Sequence, residues 1–206
     1  MDEHLIAAAE EYVRRLFAAN AGGHDVEHTL RVRRNALLLL RETPGCDALV
    51  VELAALLHDA DDPKLFSTAN NENARAFLER EGVPPETVEA VCAAVNAVSF
   101  SKNRDRRPET VEGRLVQDAD RLDAMGAVGV GRTFAYGGEH GRPMEESVQH
   151  FHDKLLRLYD LLNTDAARRL AAPRHAFLEA FLKAYQEETV PLSQPGADSS
   201  PEGGTK

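Results

Sequence analysis

The chain lacks several things. It has no tryptophan and only two cysteines in 206 residues, Cys46 and Cys92, far apart and in no C-x-x-C pattern. That reads as a reduced intracellular protein rather than one framed by disulfides. Basic charge is also scarce: 24 basic residues stand against 34 acidic ones, a net charge of −10. No basic field is available to hold nucleic acid or an anionic membrane, although a small phosphorylated molecule could still be received by a metal and a few local cations. No apolar run approaches the roughly 20 residues of a membrane span. The opening "MDEHLIAAAEEYV" has no basic segment leading into an apolar one, so no signal peptide is expected. Together these absences predict a soluble, cytoplasmic protein. Period-two alternation is missing too, and with it any argument for a strand.

What is present is helical periodicity on 43% hydrophobic residues. Amphipathic segments are predicted at 2–20, about 25–42, about 48–58, 71–82 and 84–98. A polar loop, "SFSKNRDRRP", follows. Residues 109–138 read as one helix, a glycine-rich junction and a second short helix. Two long terminal helices are expected at about 145–162 and 164–189, the last kinked or split by Pro173. "PLSQPGADSSPEGGTK" has the Pro, Gly and Ser content of a disordered tail. The prediction is a single all-α domain over residues 1–190, a helical bundle, with a disordered tail over 191–206. The two long amphipathic terminal helices would suit a homodimer.

One stretch conflicts with simple burial. "LAALLHDADDPK" ends an apolar run in His58, Asp59, Asp61 and Asp62. Carboxylates are unfavourable at the negative end of a helix by a few tenths to ~1 kcal/mol each, and worse if buried unpaired. Something cationic should compensate. A second acidic run, "VQDADRLDA", sets Asp118, Asp120 and Asp123 into an otherwise apolar pattern, with Asp120 and Asp123 on one face and Asp118 elsewhere. By itself this could be a solvated face paired through Arg121. His28 lies in "EHTLRVRRNALLLL", where Leu30, Ala36, Leu37 and Leu40 are expected to face inward. Joined, His28, His58, Asp59 and Asp120 make a mixed nitrogen and oxygen set suited to Mn, Fe, Co, Zn or Mg. A cation there would turn an unfavourable acid run into ligation.

"HDVEHTLRV", "LAALLHDADDPK", "VSFS" and "VQDADRLDAMGAVGVGRTFAYGG", in that order, resemble the HD superfamily of metal-dependent phosphohydrolases, and most closely its stand-alone bacterial branch of the YedJ/YpgQ type. The likeness covers roughly residues 20–185. It implies an HD-domain fold and one divalent metal, Mn²⁺ first, with Mg²⁺, Co²⁺, Fe²⁺ or Zn²⁺ as others that would fit. The ligands implied are His28, His58, Asp59 and Asp120, with Asp118 the alternative distal ligand. It implies a general acid or base four residues after His58, which is Asp62, with Asp61 able to substitute. Lys64 is placed to meet a phosphate. Arg31, Ser99, Asp123, Arg132, Tyr136 and Lys154 are further candidates for substrate contact, with Ser101 beside Ser99. The implied reaction is hydrolysis of a small phosphorylated metabolite, a nucleotide, with a nucleoside-triphosphate pyrophosphohydrolase releasing pyrophosphate as the specific expectation. A 5′-nucleotidase or a guanosine tetraphosphate hydrolase stays open. Relatives with two metals use extra histidines, but His24, His150 and His152 match no such pattern. Some relatives carry a histidine just before "SFS", where this chain has Val98.

Two rivals stand. "HDVEH" fits the inverted zinc-protease signature H-x-x-E-H, with His24 and His28 as ligands, but leaves "HDADD" and "DADRLD" without a role. A non-catalytic metal- or nucleotide-binding sensor would also use this fold, although all four ligands and Asp62 are present. The glycines at 126, 129 and 131 fit no phosphate loop, and close helix packing explains them better.

Overall fold

The computed structural model describes residues 2–18, 25–98, 103 and 106–189. His24, Ser99, Ser101 and the tail lie outside them. Nine α-helices occur among the described residues, and no strand. They are α1 (Asp2–Leu16), α2 (Val26–Leu40), α3 (Ala48–Leu57), α4 (Glu72–Arg80), α5 (Pro85–Val98), α6 (Val111–Asp123), α7 (Gly126–Glu139), α8 (Met144–His150) and α9 (Asp165–Thr189). None is long and apolar enough to cross a membrane.

The centre is α3. Its sequence ALVVELAALL is apolar almost all round, as a helix enclosed by protein must be, and Leu53 to Leu57 are each inaccessible to solvent. It packs on α1, α2, α5 and α6. Truncating Leu56 or Leu57 there would cost about 2–5 kcal/mol. α2 and α6 pack on each other most extensively, so His28 faces Asp120 and Asp123 of α6 across one seam. α7 and α9 pack together on the far side of α6.

Helix ends are fixed by carboxylates and hydroxyls. Asp25 accepts from the His28 amide at 2.7 Å, Asp47 from the Val50 amide at 3.1 Å, and Thr110 from the Gly113 amide at 3.0 Å. The glycine-rich junction falls between α6 and α7. Gly126 has φ +68°, where a Cβ is strained, and one built there would meet Arg174 Cβ at 3.1 Å. A Cβ on Gly129 would collide with the Ala124 carbonyl. The turn sends α7 back so that Arg132 reaches Asp123.

Two expectations near the C-terminus need correction. The segment expected as one long helix over about 145–162 is α-helical only to His150. It continues as a π-helical turn (Phe151–Leu155) and a 3₁₀ turn (Leu156–Leu158). Pro173 does not split α9, which is helical throughout its 25 residues. Proline removes one backbone donor, but Pro173 is exposed, and the helix is held on either side of it by buried Ala171 and Leu178. Arg174, the next residue, donates to the Leu122 carbonyl at 2.6 Å and to Asn35 at 3.0 Å, tying α9 to α6 and α2.

Candidate metal centre

α2, α3 and α6 bring three ligand-type side chains together. One ligand atom each from His28, His58 and Asp120 lies within 4.8 Å of the others. Asp59 joins them. His28 Nε2 is 3.2 Å from His58 Nε2, 3.5 Å from Asp59 Oδ2 and 3.4 Å from Asp120 Oδ1, and His58 Nε2 is 3.3 Å from Asp59 Oδ2. Donors bound to one cation at about 2.0–2.2 Å are themselves about 3–3.5 Å apart. His28, His58 and Asp59 are buried, while the Asp120 side chain is 27% exposed, so the cluster opens toward solvent on that side.

Tautomers decide what this cluster accepts. His58 Nδ1 is 2.9 Å from the Ala55 carbonyl, a pure acceptor, so Nδ1 carries the proton. His28 Nδ1 donates to Asp123 Oδ2 at 2.7 Å. Both Nε2 lone pairs therefore face each other and two carboxylates, an arrangement that requires a cation or a proton between them. The His58 imidazole shows the demand. Burial would lower its pKa, yet the Asp59 charge and hydrogen bond, then Asp120 and Ala55, raise it to about 9. The donor set fits a divalent metal that takes both imidazole and carboxylate.

Asp123 lies behind His28. Expected among the substrate contacts, it is 2% exposed and bonds instead to His28, to Arg31 Nε at 2.7 Å and to Arg132 at 2.7 Å. Burial would raise its carboxyl, but the His28 and Arg31 hydrogen bonds and the Arg132 charge hold it well below the usual carboxylate range. A carboxylate on the far nitrogen of a ligating imidazole fixes the ring and makes it more basic.

The other expected residues are dispersed. Lys154, in the π-helical turn, faces the cluster. Burial pushes its ammonium below the ordinary value, Asp120 opposes that shift, and Lys64, Arg132 and Arg121 add to it. Lys64 is exposed, and its amide donates to Asp62 Oδ1 at 2.8 Å. Tyr136, one turn beyond Arg132, stacks on His140 at 3.9 Å with the Arg142 guanidinium 5.2 Å from its ring. Asp61 turns away altogether. Its two oxygens accept from the Asn73 amide at 2.9 Å and the Ala74 amide at 3.1 Å, capping α4, whose own N-cap Asn71 makes no side-chain cap bond. Both of its oxygens are therefore engaged at the start of α4. Asp118 is inaccessible to solvent and accepts from Asn163 and Thr164, by backbone and side chain, at 2.8–2.9 Å. His150 is influenced by Lys154, Arg142 and Asp153, and neither it nor His152 joins the ligand group. Arg121 does not lie on a solvated face: it is 4% exposed and donates to the Leu161 carbonyl. Ser99 lies outside the described residues.

Residues 25–125 match the HD domain family. The chain is 37% identical over 199 residues to protein YpgQ of Bacillus subtilis strain 168, covering 91% of this chain and 93% of that one. The chain belongs to the HD domain family. The crystal structure of B. subtilis YpgQ in complex with ADP superposes with a TM-score of 0.79 at 33% identity, over 92% of this chain and 97% of YpgQ. An HD-superfamily hydrolase from Bacillus thuringiensis superposes with a TM-score of 0.74 at 37% identity, over 91% of this chain and 98% of its own. The chain is an HD-type metal-dependent phosphohydrolase. HD domains bind a divalent metal, and His28, His58 and Asp120 form the site available for it.

Proposed function

We propose that this HD protein hydrolyses a nucleotide, as a nucleoside-triphosphate pyrophosphohydrolase working with one Mn²⁺ held by His28, His58, Asp59 and Asp120. The observation that carries the reading is the pair of facing Nε2 lone pairs between two carboxylates, rimmed by cationic Lys154, Lys64 and Arg132. Metal ligands beside a cationic rim suit a substrate that is anionic and chelating, which describes a nucleoside triphosphate. YpgQ, a relative over nearly the whole chain, has been crystallised with ADP, which supports a nucleotide over other phosphate esters.

A divalent cation at this position lowers the pKa of a bound water and polarises a phosphoryl oxygen. The chain's own residues do the rest. Asp123 holds the His28 ring with Nδ1 protonated and Nε2 free to ligate, and the Ala55 carbonyl does the same for His58. Lys154 and Lys64 meet the phosphate charge, which grows on the leaving group. Asp62, on the turn after α3, accepts the proton of the attacking water. The water oxygen bonds to the α-phosphorus, the bond from that phosphorus to the bridging oxygen breaks, and pyrophosphate leaves beside Lys154 and Lys64. Asp62→Asn should therefore keep the metal and lose most of the rate.

The test is a hydrolysis screen of metal-stripped protein. Mn²⁺, Mg²⁺, Co²⁺ or Zn²⁺ is added back against nucleoside mono-, di- and triphosphates and guanosine tetraphosphate, with His58→Ala alongside. Phosphate detected only after pyrophosphatase is added, and absent in His58→Ala, is the expected result. Direct phosphate release from monophosphates would replace this reading with a 5′-nucleotidase. Preference for guanosine tetraphosphate would replace it with that hydrolase. No turnover with a stoichiometric bound metal would make the protein a sensor.

A further inference from the structure

A second cationic centre lies away from the metal ligands. Between α6 and the segment leading into α9 is a cavity of about 200 Å³, lined by Arg106, Arg107, Arg121 and Arg168, by Asp160, and by the chain from Leu161 to Asn163. It shares no residue with the metal cluster. In a chain of net charge −10, four guanidiniums and one carboxylate around so small a space are against the overall trend, and like charges repel. Packing of the loop explains part of the arrangement. Arg121, Arg168 and Arg107 donate to the carbonyls of three consecutive residues, Leu161, Leu162 and Asn163. For Arg107 the carbonyl orients the guanidinium without neutralising it. Arg168 also pairs with Asp165 at 2.8 Å. Among the described residues, Asp160 is the only carboxylate lining the cavity.

We infer that this cavity is an oxyanion site that takes a compact phosphate-type anion, inorganic phosphate or pyrophosphate, independently of the metal centre. Guanidinium forks match phosphate oxygens pairwise, and three of the four are pre-oriented by carbonyl bonds, which removes much of the ordering cost of binding. The volume is below the ~300–1,000 Å³ of sites that take drug-sized ligands, so an inorganic anion fits and a whole nucleotide does not. Arg106 and Arg107 come from the end of the polar loop that precedes α6.

The experiment is calorimetric titration of EDTA-treated full-length protein at low salt, with inorganic pyrophosphate and separately with inorganic phosphate. The inference predicts saturable binding with one anion per chain. Arg106→Ala/Arg168→Ala should weaken it by about tenfold or more, and Arg132→Ala/Lys154→Ala should leave it unchanged. Arg106→Glu serves as the second variant, because Arg106 is exposed and the substitution does not threaten folding. It should weaken binding as well. The inference is overturned if no saturable binding is seen, if Arg106→Glu binds like wild type, or if binding disappears with Arg132 and Lys154 rather than with Arg106 and Arg168.

Discussion

Two acidic runs, "HDADD" at the end of α3 and "DADRLD" in α6, solve the same problem in the same way. Each places one aspartate at the histidines and another, two residues off, at the start of a different helix. Asp59 and Asp120 face His28. Asp61 caps α4, and Asp118 holds Asn163 and Thr164 at the start of α9. In α6, two residues along the helix turn the side chain by about 200°, so Asp118 and Asp120 look in opposite directions, whereas Asp59 and Asp61 diverge in the turn that follows α3. The difference between the runs is depth. Asp118 is wholly buried with both oxygens bonded, while Asp61 lies in a half-exposed turn. The lesson is that an acidic run can be half site and half staple. Substitutions should separate the halves: one set abolishes chemistry with the fold intact, the other weakens the fold with the chemistry intact.

The largest effect expected is on activity. Asp59→Ala should reduce turnover by at least about a thousandfold with helical circular dichroism retained. Full activity in that variant would end the assignment. Next comes Asp123→Ala. Loss of the carboxylate behind His28 should weaken metal binding by about 10–100-fold, read by calorimetry with Mn²⁺, while the ligands themselves remain. Third, Asp118→Ala should cost about 2–4 kcal/mol in chemical denaturation, because buried donors on Asn163 and Thr164 lose their acceptor. Activity per folded molecule should persist. Smallest is Asp61→Ala, at about 1 kcal/mol for a lost helix cap, with metal affinity unchanged. Loss of metal in Asp61→Ala would put both halves of that run at the site.

Much of this was readable before any coordinates. The apolar period of α3 and the glycine break at 126 follow from local pattern, and the resemblance to the HD superfamily singles out His28, His58, Asp59 and Asp120. On α2 the buried apolar positions are Val32, Ala36 and Leu39, so the inward face is turned from the expected Leu37 and Leu40. Other features depend on partners far along the chain. Asp61 capping α4 pairs residues 12 and 13 positions apart, and Asp123 on Arg31 spans 92. No window of sequence shows which carboxylate meets a remote amide and which meets an imidazole. The π-helical turn carrying Lys154 is likewise a backbone adjustment made by packing, since "HFHDKL" alone reads as ordinary helix. Pro173 went the other way, with a local rule against it overridden by tertiary contacts.

The central claim is that one cation belongs where the two Nε2 atoms meet. The most direct measurement is Mn²⁺ binding to metal-stripped protein, followed by paramagnetic resonance, for wild type, Asp120→Ala and Asp118→Ala. The account predicts one tightly bound ion in wild type and in folded Asp118→Ala, and loss of tight binding in Asp120→Ala. Tight binding that survives in Asp120→Ala but vanishes in folded Asp118→Ala would contradict it.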